Sequence, residues 1–433
     1  MIRFCLAAAF LAAAPLAAQQ PSIPNPLTLA QAINLGRERG VTAALARVSA
    51  RAAENRIGLR RADLLPNIGG SAGVARQTVN LDEFGIAFAS GVTDPFTLFR
   101  FQLRAAQTVF DPAAFARLKT ARDSAVAAGL DARVAGALAG ATAGVAYLRA
   151  LSTQETVQAR EADSAIAAQL LDQATQLLNA GITPAIDRTR SEVNLAAVRS
   201  QLAIARNQRD RTRLDLSRAL DLPSSTPLEL AGGIELETGG LPATRDAAVG
   251  YALGHRSELA AEERRLAVMQ QSRKAIRAEN LPSVGASGSY TESGRGTGTL
   301  ASTYLLQVGV TVPVLDGFRR QIRSREEGLR IEAQQIRLHD LRLAIEAEVQ
   351  QALLDVGSAT EQLALANERT RLAQQELDQA GDRFRAGVAG SIETTNAQGG
   401  LIAARDAVIQ ARVAVGVARV SLLKALGNLE DGR

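Results

Sequence analysis

The sequence predicts a mainly α chain with a small β part, built as tandem-duplicated long helical hairpins that each carry a pair of strands. Three observations predict it. Long proline-free stretches follow a heptad repeat, two shorter segments change to a period of two, and the whole pattern occurs twice along the chain.

Composition narrows the chemistry before any element is placed. The 433 residues include only 3% aromatics, no Trp, one Cys and two His, with a net charge of +5. So few aromatics argue against several large compact cores, and favour alanine-rich helices packed along a seam. His255, His339 and Cys5 are too few and too scattered for a zinc, haem or thiol site, so no cofactor or metal is expected and no enzyme is indicated. Acidic and basic residues are interspersed, which suits a solvated surface and not a nucleic-acid footprint.

The first residues, with Arg3, an apolar run from Phe4 to Ala14 and small residues ending near Ala18, read as a secretory signal peptide at 1–18. Cys5 opens the apolar run and does not follow it, which argues against a lipid-anchored start. No later run of about 18 apolar residues stands out, so any membrane insertion is expected through strands.

Prolines at 66, 95, 112, 184, 223, 227, 242, 282 and 313 bound the stretches in which long helices are allowed. Within the last of these, Ile331, Leu338, Ile345, Ala352, Ala359, Ala366, Ala373 and Ala380 recur every seven residues, with Val349, Val356, Leu363 and Leu377 alongside. Alanine at so many seam positions implies closely approaching helices.

The duplication is visible residue by residue. LDQATQLLNAGITPAID at 171–187 matches LDQAGDRFRAGVAGSIE at 377–393, and DLLPNIGGSAG at 63–73 matches ENLPSVGASGS at 279–289. The expected organisation is a first repeat over 19–222, a linker over 223–242 and a second repeat over 243–433. Each repeat reads as a helix of about 35 residues, a β-hairpin (about 67–110 and 283–314), a helix of about 65–70, a tip turn (about 180–186 and 386–391) and a last helix of about 35. At 1.5 Å per residue the long helix is near 100 Å, so each unit is a rod.

In the hairpins, Val284, Ala286, Gly288 and Tyr290 alternate with small polar residues, as do Tyr304, Leu306, Val308, Val310 and Val312. Phe99, Phe101, Leu103 and Ala105 alternate with Arg100, Gln102 and Arg104. Strands of about ten residues suit a tilted crossing of a bilayer. Phe99, Phe101, Tyr290 and Tyr304 suit a membrane-interface girdle; a small soluble core under the sheet would also collect them, and the export signal favours the girdle. Four strands cannot sit open in lipid, so other subunits must close them: two copies supply eight strands, three supply twelve, and the larger number suits a channel.

The duplicated plan, the LTLAQAI start at 27–33, the Leu-Pro steps at 65–66 and 281–282, and the Ala-Gly turns at 180–181 and 386–387 resemble TolC-like outer membrane efflux proteins. The resemblance covers nearly all of the chain beyond the signal. It implies a homotrimer with a 12-stranded barrel in the outer membrane and an α-helical barrel in the periplasm. It further implies a passive conduit for efflux or type I secretion, fed by an inner-membrane pump through a periplasmic adaptor. The turns then map to the periplasmic tips, with Gly181 and Asp187 matched by Gly387 and Glu393 as tip and adaptor-contact residues. Arg188, Arg190, Arg383 and Arg385 near the turns are the candidate tip charges, which could serve in place of a closing arginine or simply face solvent. Asp187 and Glu393 equally suit plain charge placement at a helix start. The chain departs from the pattern at Ala389, where an arginine often stands, and at Asn396, where some members carry a second acid.

The competing reading is a soluble periplasmic coiled-coil adaptor or scaffold, against which stand two equivalent helical halves. SLLK at 421–424 fits a Ser-x-x-Lys pattern but lies on the heptad helix without the rest of that signature, and SGRGTG at 293–298 reads as a hairpin loop with no lysine to hold a phosphate.

Overall fold

The computed structural model describes residues 25–84, 91–234, 242, 244–296, 298 and 300–431. The signal expected at 1–18, and residues 235–241 of the expected linker, lie outside the described residues.

Chain order is α1 (Leu29–Arg39), α2 (Val41–Ala62), β1 (Asn67–Gln77), β2 (Phe96–Phe110), α3 (Pro112–Asn179), α4 (Ala185–Ala219), α5 (Arg245–His255), α6 (Ser257–Ala278), β3 (Ser283–Gly294), β4 (Ala301–Thr311), α7 (Arg319–Arg385), α8 (Ser391–Leu426) and the short α9 (Asn428–Asp431). At 68 and 67 residues, α3 and α7 each span about 100 Å, and each folds back on its partner, α4 or α8, through a tip turn. The heptad positions Leu338, Ile345, Val349, Ala352, Ala359, Ala366, Ala373, Leu377 and Ala380 are all buried, so the seam read from the sequence is the packed face of α7.

One expectation changes. The first helix of each repeat is not continuous but two helices, of 11 and 22 residues, joined at Gly40 and again at Arg256. Gly40 is extended at ψ 135°, and its surroundings explain why only glycine serves. A Cβ there would lie 2.5 Å from the Gly36 carbonyl oxygen and 2.8 Å from the Ala139 Cβ. The same close approach continues along α1 and α3: a Cβ on Gly36 would lie 2.3 Å from that of Ala143, and one on Gly140 would lie 2.9 Å from the Ile33 carbonyl. Glycine on both helices lets their backbones touch.

A second expectation is refined by α3. One 18-residue window of this helix reaches a mean hydropathy of 1.4, apolar enough to cross a membrane by composition, yet 61% of it is buried within the protein. Its small apolar residues are spent on helix packing. They line the largest core cluster, where Tyr147, Leu148 and Leu151 meet Leu27, Leu216 and Leu230. There Leu27 donates to the Glu229 carbonyl (2.8 Å) and accepts from Ala231 (2.9 Å), a short parallel bridge that ties the entry to α1 to the segment between the repeats.

The four strands form one antiparallel sheet in the order β1-β2-β3-β4. The central β2–β3 pair, with Leu103 opposite Tyr290, joins the two repeats. Strand β4 ends at Thr311, so Val312 lies just outside the ladder; Pro313 has no N–H with which to continue it.

Candidate functional site: the open sheet and the helical tips

The register of the sheet sorts its side chains onto two faces. Pairing of Ile68 with Ala105, Val74 with Phe99, Leu103 with Tyr290 and Tyr290 with Tyr304 places the apolar series of all four strands on one side. Ser71, Gln102, Thr291 and Thr303 fall on the other by the same register. Among the described residues neither side is covered by a helix, and on the apolar side Tyr304 is 80% exposed, Leu306 79% and Val308 75%. Among the described residues, β1 and β4 each pair along one edge only. A row of exposed Leu and Val on an open sheet is unstable in water, and two bare edges are unstable in lipid.

Phe99, Phe101, Tyr290 and Tyr304 come together on the apolar face, toward the hairpin ends of the strands. The opposite end of the face, about 25 Å away along the strands, meets Phe110, whose ring lies 6.3 Å from that of Phe115, and the exposed Val314 and Leu315.

At the other end of the rods the two tip turns are built alike. Gly181 (φ +72°) and Gly387 (φ +71°) are left-handed and end α3 and α7. The N–H of Gly181 donates to Leu178 (3.0 Å) and that of Ile182 to Leu177 (2.9 Å); Gly387 and Val388 repeat this onto Phe384 (3.0 Å) and Arg383 (3.1 Å). This paired arrangement satisfies the last carbonyls of each helix, and the left-handed residue is what requires glycine. The turns also meet one another, since a Cβ on Gly387 would lie 3.1 Å from the Ile182 Cγ2.

The two tip acids, equivalent in sequence, are not equivalent in space. Asp187 is 4% exposed and accepts from the Ser391 hydroxyl (2.6 Å) and the Ser391 N–H (3.3 Å), so it caps α8, a helix of the other repeat. Arg190 stands 3.9 Å from it. Glu393 is only half-buried and pairs with Arg383 at 2.9 Å. Arg188 pairs with Glu192 at 3.0 Å on the surface of α4, and Arg385 pairs with Asp382. Arg188 and Arg385 thus bond within their own helices, whereas Arg383 spans its turn.

Sequence reasoning missed a buried polar cluster farther up the rods. Asp163 of α3, fully buried, accepts from Arg160 (2.7 Å) and from Arg405 of α8 (2.7 Å), while Arg160 also pairs with Asp406. Gln398 donates to the Asp163 carbonyl (3.0 Å) and accepts from Asn194 of α4 (2.8 Å). The available signal was the charged Arg405-Asp406 step facing a heptad seam otherwise made of alanine and leucine. A second clamp sits at the α5–α6 joint, where Arg256 pairs with Glu348 and Glu258, and Lys424 reaches Glu348 at 3.3 Å. Burial opposes the charged form of Glu348, but Arg256 and Lys424 outweigh it and hold its carboxyl below the usual range.

An uncovered sheet with one apolar and one polar face, continued by helical hairpins about 100 Å long, defines the class of outer-membrane transport channels with a long periplasmic extension. The chain belongs to the outer membrane efflux protein family, which it matches over residues 34–221 and again over 248–428. It is 26% identical over 401 residues to the protein CyaE of Bordetella pertussis (strain Tohama I), a match that covers 89% of this chain and 80% of that protein. Its fold is that of the outer membrane protein VceC of Vibrio cholerae (TM-score 0.76, 15% identity, 92% of this chain and 96% of that one). It is equally that of the open-state MtrE outer membrane channel of Neisseria gonorrhoeae (TM-score 0.75, 18% identity, 92% and 88%). The chain is therefore a transport protein of the outer membrane and not an enzyme, and the soluble adaptor or scaffold alternative is set aside.

Proposed function

We propose that three copies of this chain close a 12-stranded barrel in the outer membrane and form a channel-tunnel. It passively conducts substrates delivered by an inner-membrane pump and a periplasmic adaptor, in efflux or type I secretion. The observation that carries this reading is the open four-stranded sheet, apolar on one face and polar on the other, with both edges free. Joining β4 of one copy to β1 of the next removes every edge and turns the apolar faces to lipid. Eight strands leave an interior that side chains fill, whereas twelve leave room for water, and MtrE is itself described as an outer membrane channel.

The tip turns are the proposed adaptor contact, through Gly181, Asp187, Gly387 and Glu393. They stand at the far ends of the rods, and exposed Ile182 and Val388 offer apolar surface beside them. The test of assembly is a cysteine at Gly69 on β1 combined with a scan of cysteines along β4 from Thr303 to Thr311. A ladder of cross-linked species that stops at three chains in outer-membrane fractions is expected; a soluble, uncross-linked monomer overturns the reading. For the tips, Gly181→Trp or Gly387→Trp is expected to abolish efflux and adaptor co-purification while leaving the trimer intact. Unchanged efflux and adaptor binding in both variants remove the turns as contact sites.

A further inference from the structure

The four strands carry very few charges, and their placement is uneven. Their only carboxylate is Glu292, which the register puts opposite Phe101 on the apolar face, where it accepts from the Tyr290 hydroxyl (2.9 Å). The polar face carries Arg100 and Arg104 and no acid from any strand. Arg100 lies between Gly73 and Ser293, and Arg104 between Gly69 and Ser289, so both guanidiniums are exposed among glycines and serines. Among the described residues neither forms an ion pair. Just beyond β3 a third cation, Arg295, lies 4.4 Å over the Phe96 ring at the hairpin end of the sheet.

We propose that Arg100 and Arg104 are charge-selecting residues of the conduit, and that the barrel segment favours anionic over cationic solutes. This rests on the trimeric-barrel reading, in which the polar face lines the lumen. Three copies then set two rings of arginine about 13 Å apart along the strands. A barrel of twelve strands spaced about 4.8 Å and tilted about 40° is roughly 24 Å across between backbones. Each arginine reaches about 6 Å inward, so the axis lies within the Debye length of about 8 Å at physiological salt. No counter-charge on the lumen face of the strands offsets them, and the surrounding low-dielectric wall and lipid concentrate the field in the water of the pore.

The test reads the potential inside the barrel, apart from whatever the tips contribute. A cysteine is placed at Ser71, which opposes Gln102 between the two arginines. In the full-length protein in outer membranes, its rates of modification by an anionic and a cationic methanethiosulfonate are compared. The anionic reagent is expected to lead by on the order of fivefold at low salt. That preference should fall to near one in 1 M salt, where the Debye length is about 3 Å, and near one in Arg100→Gln/Arg104→Gln. Equal rates at low salt, or a preference that survives neutralising both arginines, overturn the proposal; the salt dependence decides it even where the double variant does not assemble. Leu306→Cys, on the lipid-facing side, separates the two levels of the argument. If it is modified as readily as Ser71→Cys, the barrel reading itself fails and the proposal falls with it.

Discussion

Gly181 and Gly387 occupy the same left-handed backbone well, yet they differ in what stands beside them. Replacing Gly181 by Ala places a Cβ in open space and costs only the left-handed conformation, about 1 kcal/mol. Gly387→Ala adds a contact at 3.1 Å with Ile182 and is expected to cost more, a difference that paired urea melts of the two variants would show. The acids diverge further. Asp187→Ala strips the cap of α8 and leaves the buried Ser391 N–H and hydroxyl without their acceptor, a loss of about 1–2 kcal/mol. Glu393→Ala removes an exposed pair worth less than about 1 kcal/mol. Equal melting shifts for the two acids would contradict the asymmetry. From the sequence these positions look interchangeable, because each acid follows its glycine by six residues; the full burial of one and the half-burial of the other follow from how the turns pack together.

Among the elements, α3 is the hub, touching α1, α2, α4, α6 and α8. Its contact with α8 includes Asp163, which ties the two hairpins together at this level. Asp163→Ala leaves Arg160 short of one buried carboxylate and Arg405 without its ion-pair partner. The expected loss is about 3–5 kcal/mol, visible as a lower denaturation midpoint. The clamp at Glu348 adds a pH dependence. Its carboxyl is held below its ordinary value in the folded chain, so its contribution is fully present above that ordinary value and is lost as pH falls through the depressed folded value. Glu348→Gln is expected to flatten that part of the acid limb in thermal melts recorded between pH 6 and pH 3. The heptad seam of α7 was legible because its period is local. The breaks at Gly40 and Arg256 were not, because a lone glycine, at 40 or at 254, is tolerated within a helical pattern, and only the close approach of Ala139 on α3 and the carboxylate of Glu348 on α7 explain them.

At the scale of the whole molecule, duplication accounts for the economy of aromatics noted in the composition. Two rods share one seam chemistry, and the aromatics gather at the ends of the sheet and in a few core positions such as Tyr147 and Phe384. The repeats are not copies in detail. The segment between β1 and β2 runs from 78 to 95, that between β3 and β4 only from 295 to 300, so the first hairpin is longer at its loop end. The β2–β3 pairing and the packing of α3 against α6 and α8 then bind the halves into one unit.

The sequence by itself determined the length of the rods, the buried seam of α7, the two faces of every strand, the glycines of the tips and the family to which the chain belongs. All of these rest on periods and spacings that act over a few residues, or on a repeat that compares the chain with itself. Only the tertiary structure decided that Asp187 caps a helix 204 residues away, that Asp163 sits between two arginines, and that β2 pairs with β3 so that all four apolar faces coincide. Those contacts join segments whose spacing along the chain carries no period. They follow from how the rods are laid together, a question of packing that no local pattern encodes.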